Sequence, residues 1–180
     1  MAPIRDEAAE LDAEFSRLYR TYAHDLRRFA VYLSGDPALA DDMVSEAFAR
    51  AWTTRDRVEF STVRGYLFAI VRNLFLQHRR RAWRRQPLDE RMIDHRPGPE
   101  ILADDHNQLR LAMEALARLP EVDRAAVLMR ADEGLAYEEI AVALGISVAS
   151  AKVKVHRARL KLAELLPAGN ALDRTGGTIP

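Results

Sequence analysis

The sequence contains no cysteine, and this absence removes several classes of protein at once. Without thiols there is no disulfide framework, no cysteine-ligated zinc and no thiol nucleophile. Long apolar runs are also missing, since the longest, Tyr66–Val71 and Ala125–Met129, fall far short of the roughly 20 residues that span a bilayer. The segment Met1–Leu11 is acidic and lacks an apolar stretch. We therefore expect no signal peptide, no membrane insertion and a cytoplasmic protein.

Net charge is absent as well, because 27 Lys and Arg residues balance 27 Asp and Glu residues. Nucleic-acid-binding domains usually have a basic excess, so the total alone argues against that class. The charge is unevenly distributed, however. Residues 64–85 contain seven arginines and no acid, and residues 152–161 contain five basic residues and no acid. Two basic blocks therefore lie in an otherwise acidic chain, and such asymmetry is informative where the total is not.

Apolar residues recur at spacings of three and four along most of the chain, and no segment alternates with period two for long enough to form a strand. We therefore predict an all-α fold of two small helical domains, residues 11–85 and 109–166. Residues 86–108 contain three prolines and six acids, which indicates a flexible acidic linker. The tail, residues 167–180, is rich in Gly and Thr and is predicted to be flexible.

The first domain should contain three helices. The first carries an apolar face from Phe15 to Ala30 and stops at Gly35-Asp36-Pro37, the second begins near Pro37, and the third begins near Arg64. Residues 53–63 are predicted to form a loop. In the second domain, Pro120, Gly134 and Gly145 separate four predicted helices, residues 109–119, 120–131, 137–144 and 147–166.

The strongest motif is a helix-turn-helix at residues 137–159. Ala141 is small enough for a close crossing of two helices, Gly145 suits a left-handed turn, and Ser147 can cap the second helix. That second helix is basic and has no acid before Glu164, so it is suited to the DNA major groove. The alternative is a generic helical hairpin with a solvated basic face. The motif alone does not say what kind of DNA-binding protein this is.

Two groups of segments together resemble sigma-70-type RNA polymerase sigma factors of the small extracytoplasmic-function (ECF) group. They are residues 41–52, 64–74 and 78–81 in the first domain, and Leu119-Pro120, Arg124, 137–141 and 156–159 in the second. The resemblance covers about residues 11–85 and 109–166. It implies a transcription initiation factor that recruits RNA polymerase and has no covalent chemistry, cofactor or metal of its own.

In this family the first domain binds the clamp helices of the polymerase β′ subunit. The resemblance assigns that contact to five residues of the second helix, Asp41, Asp42, Met43, Glu46 and Trp52. Asp42 and Glu46 lie one helical turn apart, so both can face a basic partner. The alternative is that these acids form a solvated face. Phe48 is predicted to be core.

The third helix should handle the minus-ten promoter element as it melts. The candidate contacts are Tyr66, Phe68, Arg72, Asn73, His78, Arg79 and Arg80. Aromatic faces stack on any base, and arginines hold phosphates in bidentate geometry. Core packing remains an equal alternative for Phe68, and a solvated basic tail is the alternative for the arginines.

In the second domain the resemblance places Lys152, Val153, His156 and Arg157 against base edges of the minus-thirty-five element. Ser150, Lys154 and Arg159 are then phosphate contacts. The same domain contacts the polymerase β flap in the family. Several residues depart from the usual pattern, namely Leu39, Ser45, Tyr66, Ala151 and Val153, so promoter preference does not transfer.

The family resemblance also implies further partners. The acidic linker would follow the path of nascent RNA, and an anti-sigma factor is an expected partner.

Two rival interpretations remain open. One is a helix-turn-helix regulator that is not a sigma factor, including a response-regulator-like protein, and the other is a metal enzyme. The first half lacks the strand–helix alternation of a phosphoacceptor domain. A metal site built from His24, Asp41, Asp42 and Glu46 has no second carboxylate-rich helix to complete it.

Overall fold

Helices account for nearly all of the structure that the computed structural model describes, which comprises residues 4–54, 63–85 and 105–166. Within these residues there are seven helices and no strand: α1 (Ile4–Ser34), α2 (Pro37–Thr53), α3 (Val63–Arg85), α4 (Asp105–Ala117), α5 (Glu121–Ala131), α6 (Tyr137–Leu144) and α7 (Val148–Leu165). The all-α prediction is confirmed.

The break between α1 and α2 forms where the sequence predicts it. Gly35 takes a left-handed φ of 74°, and the carboxylate of Asp36 accepts hydrogen bonds from the backbone N–H groups of Ala38 (2.9 Å) and Leu39 (3.1 Å). Pro37 follows in the first turn, where its missing N–H costs nothing. The chain therefore reverses sharply and places α2 against α1.

Two helices extend beyond their predicted limits. α1 begins at Ile4, ahead of the apolar face that starts at Phe15, and α4 begins at Asp105, inside the predicted linker. The residues before Phe15 include Ala, Glu and Leu, which favour helix without an apolar pattern to reveal it. The rest of the linker, the tail and most of the predicted 53–63 loop lie outside the described residues.

The first three helices pack around large side chains that are completely shielded from solvent. Leu26, Phe29 and Leu33 of α1 lie in one buried cluster with Phe68 and Val71 of α3, and each of these side chains is at most 1% exposed. The rings of Phe29 and Phe68 meet edge to face with centroids 5.0 Å apart. Phe48 of α2 is buried too, as predicted. The apolar faces of the three helices thus fix how α3 lies in this unit.

The helix-turn-helix forms at the predicted residues. Gly145 has a φ of 66°, and the N–H of Ile146 donates to the carbonyl of Ala141 over 3.0 Å, which closes the end of α6. The hydroxyl of Ser147 accepts a hydrogen bond from the N–H of Ser150 (3.1 Å) and caps α7. Ala141 is buried at the crossing. The turn at Gly145 and the cap at Ser147 together set the direction in which α7 leaves the turn.

The two helical units touch each other directly. α3 packs against α6, and α1 packs against α5. The buried apolar side chains of both units form one continuous cluster. The prediction of two domains joined by a linker did not include this contact.

Replacement of Gly145 by Ala is expected to lower the free energy of unfolding by about 1–2 kcal/mol, because a β-carbon opposes the left-handed φ. No heavy atom lies within 4 Å of the added β-carbon, so steric contact contributes nothing. Urea unfolding followed by circular dichroism measures the change. Gly145→Asn is the matched control and should cost less, since Asn tolerates this conformation. Equal stability of all three proteins would contradict the turn geometry.

Candidate nucleic-acid interface

α7 has one buried face and one exposed face. Ala151, Val155, Ala158 and Leu162 are buried in the second unit. The opposite face is exposed and comprises most of the residues predicted for the minus-thirty-five element, namely Ser150, Lys152, Val153, His156, Arg157 and Arg159. Val153 is 54% exposed, so its side chain is accessible for an apolar contact. The structure therefore brings these six residues together.

The seventh residue of that set, Lys154, has an internal partner. Its ammonium donates to a carboxylate oxygen of buried Asp123 over 3.0 Å, and the Arg157 guanidinium lies 4.0 Å from the other oxygen. The Lys152 ammonium lies 5.6 Å from the centre of the Tyr137 ring. Contacts of α5 and α6 thus orient the basic side chains of α7.

A second candidate site lies between the end of α2 and the middle of α3. An open cavity of about 410 Å³ is found there. It brings together three residues predicted for the minus-ten element, Tyr66, Asn73 and Arg80. Its other lining residues are Arg50, Thr53, Thr54, Ile70, Leu76 and Gln77. The Tyr66 and Thr54 hydroxyls lie 3.0 Å apart and share a hydrogen bond that fixes the ring at the cavity wall.

The remaining cations of α3 do not all face this cavity. His78 and Arg79 are exposed on the last turns of the helix. Arg72 instead points at the second unit and forms two hydrogen bonds with the carboxylate of Glu121, of 2.7 and 2.8 Å. The predicted minus-ten set therefore divides between the cavity, the end of α3 and the contact between units.

Two of the predicted contact residues are core residues, and those predictions are corrected. Phe68 is 0% exposed because it packs on Phe29, so its ring has no access to a displaced base. Met43 is 3% exposed on the inner side of α2 and presents no surface to polymerase. In both cases a neighbouring helix covers the face, which spacing along one helix did not reveal.

The predicted polymerase face of α2 presents its acids outward. Asp41, Asp42 and Glu46 are all exposed. Asp41 accepts a hydrogen bond from Arg27 (2.6 Å), and Glu46 accepts one from Arg50 (2.7 Å). Both pairs are solvent-exposed, so they are weak and exchangeable. Trp52 is half-buried and packs edge to face on Phe15 with centroids 5.1 Å apart.

Sequence reasoning missed the acidic partners of Lys154, Arg72 and Arg28. Asp123 forms an ion pair with Lys154, and Glu121 forms one with Arg72. Arg28 of α1 forms ion pairs with both Asp132 and Glu133. Burial raises the pKa of Glu133 to about 8, although the hydrogen bond from Arg28 works against this rise.

Residues 4–54, 63–85 and 105–166 contain neither a membrane-spanning helix nor a cluster of potential metal ligands. No helix there has both the length and the hydropathy to cross a membrane. No group of three or more His, Asp or Glu side chains there has an arrangement that could hold a metal ion.

Two family models match the two units. The model described as Sigma-70 region 2 matches residues 18–85, and the model described as Sigma-70, region 4 matches residues 109–162. The cavity lies in the first matched segment, and the exposed face of α7 lies in the second.

Characterised relatives agree with these matches. The chain is 34% identical to the ECF RNA polymerase sigma factor SigE of Mycolicibacterium smegmatis, over 84% of this chain and 61% of that protein. It is 32% identical to the ECF sigma factor SigL of Mycobacterium tuberculosis, over 92% of this chain and 98% of that protein. The solved sigma factor RpoE of Bartonella quintana, in complex with the anti-sigma factor NepR, covers 87% of this chain and 98% of its own, with 29% identity and a TM-score of 0.73.

The chain therefore belongs to the sigma-70 family of RNA polymerase sigma factors, in its ECF group, and is a transcription initiation factor. The family expectation drawn from the sequence is confirmed, and a helix-turn-helix regulator outside this family is not favoured.

Replacing Phe68 by Ala tests its corrected role. Because Phe68 is a core residue, its replacement should lower the free energy of unfolding by about 3–5 kcal/mol, since removal of a buried phenyl ring leaves a cavity. Asn73→Ala, on the exposed side of the same helix, should change stability by less than about 0.5 kcal/mol. Denaturant unfolding of the three proteins gives both values. A stable Phe68→Ala protein would restore the solvent-facing assignment.

Proposed function

We propose that this sigma factor reads the minus-thirty-five element with α7 in the major groove. The single observation that carries this proposal is the exposed face of α7, where six of the seven predicted base and phosphate contacts lie together. The helix is capped by Ser147 and has no acid before Glu164. Arg157 and Lys152 can donate to guanine edges there, and Val153 can meet a thymine methyl group. The N-terminus of α7 adds its own attraction for phosphate.

The cavity beside α3 is the proposed site for one unstacked base of the minus-ten element. Single-stranded bases are recognised by stacking on aromatic rings and by hydrogen bonds to their edges. Tyr66 offers a ring, Asn73 an amide that both donates and accepts, and Arg80 a guanidinium for the phosphate. His78 and Arg79 extend this basic surface along the backbone of the strand.

Core polymerase is proposed to bind the acidic face of α2, through Asp41, Asp42 and Glu46. The arginines that neutralise two of these acids belong to the same chain and are solvent-exposed. A basic helix of the polymerase β′ subunit can replace them at small cost, because exposed ion pairs contribute little. Trp52 supplies apolar area next to the acids.

An anti-sigma factor is the proposed inhibitory partner. Support comes from the Bartonella quintana sigma factor, which superposes on both units of this chain and was solved with its anti-sigma factor bound. The β flap of polymerase is the proposed partner of the second unit, on the family resemblance.

Replacing Arg157 by Ala is expected to weaken promoter binding by roughly 5- to 150-fold, equivalent to about 1–3 kcal/mol for one base contact. Lys152→Ala should behave in the same way. Run-off transcription with purified core polymerase and a promoter library, together with binding to core alone, measures both properties. Lys161→Ala is the control, since Lys161 is an exposed cation of α7 paired with Glu164.

Core binding should be unchanged in the Arg157 and Lys152 variants. If they lose core binding and retain specific DNA binding, the assignment of α7 is wrong. If wild-type protein binds promoter DNA and never activates core polymerase, it acts as a simple regulator and the proposed function fails.

Replacing Glu46 by Lys should lower the affinity for core polymerase by roughly tenfold or more, because a cation would then face the basic partner. Glu164→Lys makes the same charge change on an exposed site of α7 and should leave core affinity unaltered. Fluorescence anisotropy of labelled protein titrated with core enzyme measures both. Equal affinities for the two variants would contradict the role of the α2 face.

A further inference from the structure

A buried carboxylate of α5 faces the basic helix α7 inside the second unit. The side chain of Asp123 is only 5% exposed, because α5 packs directly on α7. Its Oδ1 accepts a hydrogen bond from the Lys154 ammonium over 3.0 Å, and its Oδ2 lies 4.0 Å from Nε of Arg157. One acid therefore faces two of the cations that the sequence predicts for the minus-thirty-five element.

The two cations are placed differently around this carboxylate. A carboxylate buried to this degree is costly without a cation, so Asp123 needs Lys154, whose side chain is turned inward and 29% exposed. Arg157 remains 63% exposed, and its distance from Asp123 is too long for a hydrogen bond. Asp123 therefore binds Lys154 and attracts Arg157 without occupying its donors.

All three lysines of the chain lie on α7, and the other two have different surroundings. Lys152 is exposed, 5.6 Å from the centre of the Tyr137 ring. Lys161 pairs with Glu164 over 2.8 Å, but these side chains are 54% and 64% exposed. An exposed pair is weak and exchangeable, whereas a largely buried pair is not. One helix thus carries a buried and an exposed lysine–carboxylate pair, which can be compared directly.

We propose that Asp123 is a positioning residue for α7, which keeps Lys154 away from the DNA and directs the guanidinium of Arg157 at its base. This inference rests on the proposed function of α7. A lysine beside a phosphate strengthens binding to any sequence, whereas an arginine restricted in its orientation distinguishes one base from another. Asp123 therefore lowers sequence-independent affinity and raises discrimination between promoters. Lys154 is then a partner of α5 and contacts no phosphate.

Trace acetylation of the lysines tests the position of Lys154 in the working complex. Sigma factor bound to core polymerase and promoter DNA is treated briefly with labelled acetic anhydride, and mass spectrometry of its peptides gives the rate at each lysine. In the wild type we expect DNA to protect Lys152 and to leave the slow rate of Lys154 unchanged. In Asp123→Asn, Lys154 should react roughly tenfold faster without DNA, because a hydrogen bond to a charged group is lost. DNA should then protect it.

The salt dependence of DNA binding tests what the released lysine does. For a duplex without a promoter, Asp123→Asn should steepen the slope of log K against log salt by about 0.9, the value for one added phosphate contact on B-form DNA. The further change Lys154→Gln should restore the slope, since the double variant has the net charge of the wild type. Fluorescence anisotropy of the full-length protein measures the slopes.

Base preference tests the orientation of Arg157. The relevant base pair is the one at which Arg157→Ala relaxes discrimination, and promoter duplexes substituted there are compared by anisotropy. Asp123→Asn should reduce the preference for the correct base by roughly fivefold or more, the lower limit for one bidentate arginine contact. Lys154→Gln added to Asp123→Asn should not restore this preference, because Arg157 still lacks its carboxylate.

Glu164→Gln is the matched control, because it makes the same charge change in the exposed pair of α7. It should leave both the salt slope and the base preference unchanged. Circular dichroism and urea unfolding check that each protein is folded. If Asp123→Asn alone is unstable, the Asp123→Asn/Lys154→Gln protein, which has no unpaired charge at this site, supplies the base preference.

The outcomes distinguish this inference from the proposed function. Protection of wild-type Lys154 by promoter DNA would show that it is a DNA contact after all and would refute its placement. Wild-type base preference in the Asp123→Asn/Lys154→Gln protein would refute the role in directing Arg157. If Arg157→Ala changes discrimination and Asp123→Asn does not, the inference alone fails. If Arg157→Ala changes neither affinity nor base preference, the proposed function of α7 fails, and the role of Asp123 fails with it.

Discussion

The largely buried pair between Arg72 and Glu121 is an interaction that joins the two helical units. Arg72 lies on the helix that borders the cavity for the minus-ten element, and its guanidinium faces a carboxylate of the other unit. A guanidinium buried to this extent needs an anionic partner, whether a carboxylate or a phosphate. One side chain therefore joins the helix that borders the cavity to the second unit.

Pairing between acidic and basic side chains also accounts for much of the balance in net charge. Acids of the chain pair with cations far away in sequence, as in Asp123 with Lys154 and Glu133 with Arg28. The exposed face of α7 keeps cations such as Lys152 and Arg159 available to a partner. A protein of this composition should bind bulk DNA weakly, since its acids offset the counterion release that basic blocks provide.

Local features of the fold were predictable from the sequence, and contacts across the chain were not. Gly145 and Ser147 act through their own turn, so their roles and the limits of α6 follow from residue type. Phe68 and Met43 were misassigned because two helices share those faces, and spacing along one helix does not show which neighbour covers it. The pairs of Arg72 and Arg28 join residues 49 and 105 positions apart, and no periodic pattern connects them. The cavity likewise needed the packing of α2 on α3.

The most direct test of this account is the distance between the two units in solution, measured by single-molecule fluorescence transfer. Ala49→Cys in α2 and Ala163→Cys in α7 place one dye on each unit at exposed positions of a chain that has no other thiol. We predict high transfer efficiency in the free protein and a large fall when core polymerase and promoter DNA are added. Low efficiency in the free protein, or no change in the complex, would contradict the account.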